Sequence, residues 1–302
     1  MKTPILLMVY IKPSTTLKVI NRLREIQPPK IYISINVPPK KKFEIKKNKK
    51  VIEIIKTIDW KCKIVLKKRK KHVDAYTSYK DAINWFFKNE NEGIILEDDT
   101  LPNKSFFYFC EKMLKIYRND KRISQVCGSS FINKKTIKDK YSFSNYTLCW
   151  GYATWKRSIK DFDEKMKDWP YLKKNNYLFQ IIKDKKFVEY WCDIFDIQYS
   201  KKFRAWDYIW LYSNWKKNKF SIIPHKHLIK NIGFVKEATH TKIRYKDWYN
   251  NLETEEFKNL SIKKKSLKLD ISYDLWISKK IFKINTIYIK KKILILKKFI
   301  LG

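Results

Sequence analysis

The sequence predicts an α/β protein built on a mixed, mostly parallel sheet flanked by helices. Three observations lead there. The chain opens with two apolar, β-branched runs separated by a stretch of helical character, which makes one strand–helix–strand unit. The same alternation continues as far as residue 127. Within it, an apolar run over residues 93–96 delivers Glu97, Asp98 and Asp99 together at its carboxyl end, the edge at which open α/β sheets bind ligands.

Taken in order, residues 5–10 and 30–35 are the first two strands, with a helix over 14–27 between them. A Lys-rich connection over 40–50 leads to an amphipathic segment with Val51, Ile54, Ile55 and Ile58 on one face, and residues 62–66 form a third strand. Over 76–89, Ala82, Ile83, Trp85, Phe86 and Phe87 mark a helix that packs beside the strand leading to the acidic triplet. Pro102 and Ser105 suit a helix start, and Phe106, Phe109, Cys110, Met113 and Tyr117 then recur at helical spacing. Residues 123–127 supply another strand. From residue 141 the chain is aromatic and less regular, punctuated by Trp150, Tyr152, Trp155, Trp169 and Trp206. Residues 287–301 alternate apolar clusters with Lys290, Lys291, Lys292, Lys297 and Lys298. That pattern fits a basic amphipathic helix, lying either on an anionic membrane surface or against the core.

Composition sets the limits. With 44% hydrophobic and 16% aromatic residues among 302, the chain has ample material for a core, which excludes general disorder. The net charge of +38 attracts nucleic acid, anionic lipid or phosphorylated substrates. Abundant Ile, Asn, Tyr and Lys with only 5 Gly is also what an A/T coding bias would produce, and the field acts on partners under either origin. Five widely spaced cysteines without a Cys-x-x-Cys pair point to a reduced compartment. The apolar stretch at 4–11 is too short for a secretory signal, and no run approaches the roughly 18 apolar residues that cross a bilayer. A cytoplasmic protein, either soluble or peripheral at the inner face of the plasma membrane, is expected.

The triplet carries the chemistry. Adjacent carboxylates at the edge of a core repel one another and hold water, so they cost stability unless a cation or hydrogen-bond donor satisfies them. A hard divalent ion bearing a diphosphate would do so.

Several blocks resemble, in order, the nucleotide-diphospho-sugar transferases of GT-A fold, particularly a bacterial glycosyltransferase group akin to N-acetylglucosaminyltransferase I. They are Ala82-Ile83-Asn84-Trp85-Phe86-Phe87, Gly93-Ile94-Ile95-Leu96-Glu97-Asp98-Asp99-Thr100-Leu101-Pro102, Trp150-Gly151-Tyr152-Ala153-Thr154-Trp155, Trp206-Asp207-Tyr208-Ile209-Trp210, and Asn231-Ile232-Gly233-Phe234 leading to Ala238-Thr239-His240-Thr241. The resemblance spans residues 1–245. It implies a GT-A, Rossmann-like sheet with a nucleotide-sugar-binding half over 1–130, an aromatic-rich acceptor-binding and catalytic half over 131–245, and a C-terminal extension over 246–302. It also implies that Asp99 is the direct ligand to Mn2+ or Mg2+, with Glu97 and Asp98 supporting donor binding, and that His240 reaches the metal or diphosphate from a downstream loop. A lone histidine is as readily structural.

Asp207 resembles the aspartate that deprotonates the acceptor hydroxyl in an inverting transfer, although the same residue also suits a helix N-terminus. Trp150, Gly151, Trp155 and Trp206 are implied at the acceptor, with core packing as the competing role. Two departures stand out. Asn36-Val37-Pro38 occupies the place of an Asp-Gly-Pro whose aspartate holds the nucleoside, and Arg69 is followed by Lys70-Lys71-His72-Val73-Asp74 rather than an Asn-x-Gly turn. Asn36 and Arg69 are the expected donor contacts. His225 and His227 flank Lys226 without a third ligand for zinc.

The expected partners are therefore a nucleotide-sugar donor, a glycan or lipid-linked acceptor in surface polysaccharide synthesis, and an anionic membrane surface. The rival from another class is a nucleic-acid-binding protein using a basic, aromatic-rich surface. No helix-turn-helix or RRM pattern accompanies the charge, and no specific nucleic acid is expected. A GT-A fold kept as a catalytically degenerate binding module is the third.

Overall fold

Strands from both halves of the chain join one eight-stranded sheet. The computed structural model describes residues 1–132, 139–233 and 251–291. The first run of elements is β1 (Ile5–Val9), α1 (Pro13–Ile26), β2 (Lys30–Ile35), α2 (Lys42–Lys56), β3 (Lys63–Lys68), α3 (Ala75–Asn89) and β4 (Glu92–Glu97). A three-residue strand, β5 (Thr100–Pro102), precedes α4 (Lys104–Tyr117) and β6 (Ile123–Cys127). Then come β7 (Tyr141–Ser144), β8 (Tyr152–Trp155), α5 (Lys156–Ile159), α6 (Trp169–Lys174), α7 (Lys185–Tyr199), α8 (Trp206–Lys216), β9 (Phe220–Pro224), β10 (Ile229–Asn231) and α9 (Ile271–Lys280).

The sheet order is β3-β2-β1-β4-β8-β6-β9-β7. Strands β1 to β4 run parallel, and so do β6 and β9, whereas β8 is antiparallel to both its neighbours and β7 to β9. The predicted mostly parallel α/β sheet is what the chain forms. Alternation along the buried strands sends Ile5, Leu7, Val9, Ile94 and Leu96 to one face, beneath α1, α2 and α4. Leu6 and Ile95 go to the other face, where α3, α6, α7, α8 and α9 build a second core around Trp169, Trp191, Trp210 and Trp215.

Local chemistry sets the helix boundaries. The Asp74 carboxylate accepts from Thr77 N at the start of α3, and Asn103 accepts from Phe106 N at the start of α4. The Lys-rich stretch expected as a connection is instead the first half of α2. Its lysines face water while Asn48, Val51 and Ile55 are buried, and Asn48 Nδ2 donates to the carbonyls of Tyr10 and Asn36. Pro102 ends β5 rather than opening α4, because β5 pairs with β10.

Helix α9 is integral to the second core. Its Asp274 is fully buried and accepts from Ser144 Oγ, Asn145 N (3.1 Å) and Asn145 Nδ2 (2.8 Å). Tyr146 OH and Ser278 Oγ lie 2.6 Å apart, and Tyr273 OH donates to Ser130 O. Residues 284–291 are helical, with Ile284 buried and Ile287 and Ile289 exposed, and the rest of the expected basic helix lies outside the described residues. Among the described residues no helix is long and apolar enough to cross a membrane. All five cysteines are unpaired.

Asp274 gives a pH signature. Burial pushes its carboxyl up from 3.8 to about 6, against the hydrogen bonds from Ser144 and Asn145. Between these two values the folded chain holds a proton that the unfolded chain has released, so stability falls as pH rises through the window. The gap corresponds to on the order of 3 kcal/mol. Urea melts of the wild type and of Asp274→Asn should therefore diverge, the wild type losing about that much relative to the variant between pH 4 and pH 6.5; parallel stability curves would refute the assignment.

Candidate functional site

The carboxyl ends of β1, β2 and β4 meet over a cavity of about 500 Å³, walled by Tyr10, Lys12, Ser34, Asn36, His72, Asp74, Tyr79, Glu97 and Asp98 among others. The parallel strands put their carboxyl ends on one edge, so residues far apart in sequence converge there.

The three acidic residues part company in a turn pinned by Thr100, whose Oγ1 accepts from Glu97 N (3.0 Å). Asp98 is buried, and its Oδ2 accepts from Tyr10 N (2.9 Å), tying β4 to the end of β1. Asp99 turns outward to the Lys12 ammonium, 2.5 Å from its Oδ2. Its backbone carbonyl accepts from Ile232 N (2.8 Å), and the β5–β10 ribbon brings Gly233 so close that a Cβ there would overlap the Asp99 carboxylate.

Burial pushes Glu97 above the usual carboxylate range, Asp99 adds to this, Lys12 opposes it, and Asp98 and Asp207 raise it further. Asp98 is raised by the same burial and the same neighbour. Burial disfavours the Lys12 ammonium, but Asp99, Asp98 and Glu97 together outweigh that and hold its pKa above the ordinary value.

Among the described residues no three His, Cys, Asp or Glu side chains form a metal-binding set. A diphosphate-borne Mg2+ or Mn2+ does not require one, since such ions are held by one or two protein carboxylates plus phosphate oxygens and water. Asp99 meets that requirement: it is a hard oxygen ligand beside the cavity that already carries a cation, the Lys12 ammonium.

A second, smaller cavity of about 110 Å³ is walled by Phe131, Leu148, Cys149, Trp150, Asp207, Tyr208, Leu211 and, from beyond α9, Ile281 and Phe282. Asp207 sits exposed in the first turn of α8, where Tyr208 N donates to its Oδ1 (3.0 Å). Its charge is among those that raise Glu97, after burial, Asp99 and Asp98.

The remaining expected site residues are placed as follows. Asn36 lines the larger cavity, with its Nδ2 on Val73 O (2.9 Å) and its Oδ1 accepting from Val37 N. Arg69 faces a neighbouring groove and binds Asp81 (3.0 Å). Gly151 is buried at φ +58°, a conformation that favours glycine, and packs on Ile229 and Leu96. Trp155 pairs with Glu92 at the opposite end of β4, beneath the Arg157 guanidinium, so the structure does not bring it to Trp150. Trp206 is buried in a stack with Phe162 and Trp210. His240 lies outside the described residues. His225 and His227 are engaged in the fold: His225 bonds Ser142 Oγ (2.7 Å), and His227 Nδ1 accepts from Ser130 N and Phe131 N. Burial lowers the His227 pKa to about 4.

Sequence reasoning missed Lys12, Tyr10 and His72. The available signal was a Lys-Pro pair directly after the first strand, at the same sheet edge as the triplet.

No protein-family model matches the chain, and no curated protein matches it. Solved structures similar to it include HddC from Yersinia pseudotuberculosis (11% identity over 53% of this chain and 80% of that one, TM-score 0.34). A UDP-glucose pyrophosphorylase also matches (9%, 74% and 90%, TM-score 0.37), as does the mannosyltransferase PcManGT from Pyrobaculum calidifontis in complex with GDP-Man and Mn2+ (11%, 51% and 45%, TM-score 0.33). At these scores the likenesses assign the chain to no family.

Proposed function

We propose that the protein is a glycosyltransferase of GT-A type that binds a nucleotide-diphosphate sugar in the larger cavity and transfers the sugar to a glycan or lipid-linked acceptor beside Asp207. One observation carries this reading. At the carboxyl edge of a mostly parallel sheet, Asp99 carries a cation beside a cavity of about 500 Å³, and Asp207 and Trp150 wall a second cavity. Residues 1–130 supply the donor cavity, and 131–245 supply Trp150 and Asp207.

Asp99 would hold a divalent cation, Mn2+ or Mg2+, which when bound would supply neutralisation of the charge that grows on the departing nucleoside diphosphate. Glu97 and Asp98 shape the turn and keep Asp99 pointed outward, Asp98 by holding Tyr10 N. Asn36 offers a neutral hydrogen-bonding side chain to the nucleoside. Asp207 takes the proton from the acceptor hydroxyl, on the side away from the donor phosphates, as an inverting displacement requires. Trp150 offers an aromatic wall to a sugar ring. The net charge of +38 supports a role at an anionic membrane face in surface polysaccharide synthesis, since its field gathers anionic lipid and nucleotide alike.

Thermal shifts with UDP-, GDP-, CMP- and dTDP-sugars, with and without Mn2+, test the reading. A ligand at a hundred times its Kd stabilises the folded form by about 2.7 kcal/mol, so one donor class should raise Tm, and more so with Mn2+. No shift with any donor would refute it.

A further inference from the structure

We propose that Lys12 is an exchangeable counter-ion: it occupies Asp99 while the donor is absent and passes to the donor diphosphate when it binds, making metal and donor binding mutually dependent. The inference rests on the reading of Asp99 as the metal ligand, and goes beyond it by assigning a role to a residue outside the acidic motif.

The geometry is specific. Lys12 stands where β1 gives way to α1, 87 residues from Asp99, and its Nζ meets Asp99 Oδ2 at 2.5 Å. Asp98, by contrast, gives its Oδ2 to Tyr10 N. Lys12 also lines the donor cavity, so one ammonium faces both the carboxylate and the space assigned to the diphosphate. Its side chain is only 31% exposed and that of Asp99 14%, so the pair is partly shielded from water and a second cation drawn to Oδ2 competes with the ammonium. A lysine suits exchange: it is a compact charge on a flexible stem with three rotatable donors, able to leave one oxygen anion for another without a fixed fork geometry. Gly233 packs against the same carboxylate, where a Cβ would overlap Oδ2, the oxygen that already meets Lys12.

The consequence is thermodynamic coupling. If the ammonium competes for Asp99, metal binds weakly to the donor-free protein. A diphosphate that draws the ammonium away raises metal affinity, and by reciprocity the metal raises donor affinity by the same factor. Lys12 is thus a positioning residue whose removal alters that coupling.

The test is binding of Mn2+ to the full chain, read from the EPR signal of protein-bound Mn2+, alone and with saturating UDP, GDP, CDP or dTDP, after allowance for Mn2+ held by free nucleotide. For the wild type, one diphosphate should raise Mn2+ affinity by about tenfold or more. Lys12→Met should bind Mn2+ alone about tenfold more tightly than the wild type, with most of the diphosphate-induced gain gone. Lys12→Arg, which keeps a cation on Asp99, should bind Mn2+ alone no more tightly than the wild type and guards against a folding defect in the first variant. A Lys12→Met protein with wild-type Mn2+ affinity and a wild-type gain overturns the exchange while leaving the metal reading intact. Absence of Mn2+ binding under every condition overturns both.

Discussion

Asp99→Asn should lower turnover by at least about 10²-fold, because losing one preorganised group that stabilises charge in a transition state typically costs 10²–10³. The amide has nearly the size of the carboxylate, so the turn held by Thr100 and the Ile232 N bond to the Asp99 carbonyl persist. Its oxygen is a much poorer ligand for a hard cation, and the negative charge is gone. The fold should scarcely notice. A partly exposed lysine–carboxylate pair contributes about 0–1 kcal/mol, which moves the Tm of a chain this long by only a few degrees. The distinctive outcome is in binding: without its carboxylate partner the Lys12 ammonium is released toward phosphate, so a nucleoside diphosphate still raises Tm while Mn2+ adds nothing. Thermal shifts with and without Mn2+ read this directly. Undiminished turnover, or an undiminished Mn2+ increment, would remove Asp99 from the metal role.

The first half of this chain was legible because its signals are local. β1, β2 and β4 are short, mostly apolar runs, α1, α3 and α4 each bury one face, and the chain alternates between the two periods. The other half was not legible, for a physical reason that α8 illustrates. Trp206, Ile209, Trp210, Leu211, Tyr212, Ser213, Asn214 and Trp215 are all buried, so the helix has no solvent face and no stripe for a pattern to reveal. Strands β7, β8 and β9 hide differently. Ser144, Thr154 and Ser221 are interior, with their hydroxyls bonded to the Asp274 carboxylate, Ser124 O and Tyr146 O, and these polar residues break the apolar runs that mark a strand. The site divides in the same way. Asp99 and Asp207 sit in recognisable blocks, whereas the Lys12–Asp99 pair depends on the parallel packing of β1 beside β4, which no local spacing records. Trp155 shows the converse: it belongs to a recognisable block yet sits at the far end of its strand, because β8 runs antiparallel and carries it away from the carboxyl edge.

Asp207→Asn separates proton transfer from donor binding. A positioned general base contributes about 10²–10⁴-fold, so kcat should fall within that range. Donor affinity should hold, because the donor cavity is walled by β1, β2, β4 and the start of α3, whereas Asp207 belongs to the smaller cavity formed with Trp150, Leu148 and Phe282. The substitution is mild for the fold. Asp207 is exposed in the first turn of α8, where a carboxylate gains about 0.3–1 kcal/mol from the helix dipole, and asparagine keeps the size and the acceptor oxygen toward Tyr208 N. One electrostatic effect should accompany the kinetic one. The Asp207 charge is among those that raise Glu97, so its removal should let Glu97 ionise at lower pH. NMR titration of the Glu97 carboxyl reads that shift independently of turnover. A variant that loses donor affinity along with kcat would move Asp207 from the acceptor side to the donor side. One that keeps full kcat would leave the carboxylate only its helix-terminal role.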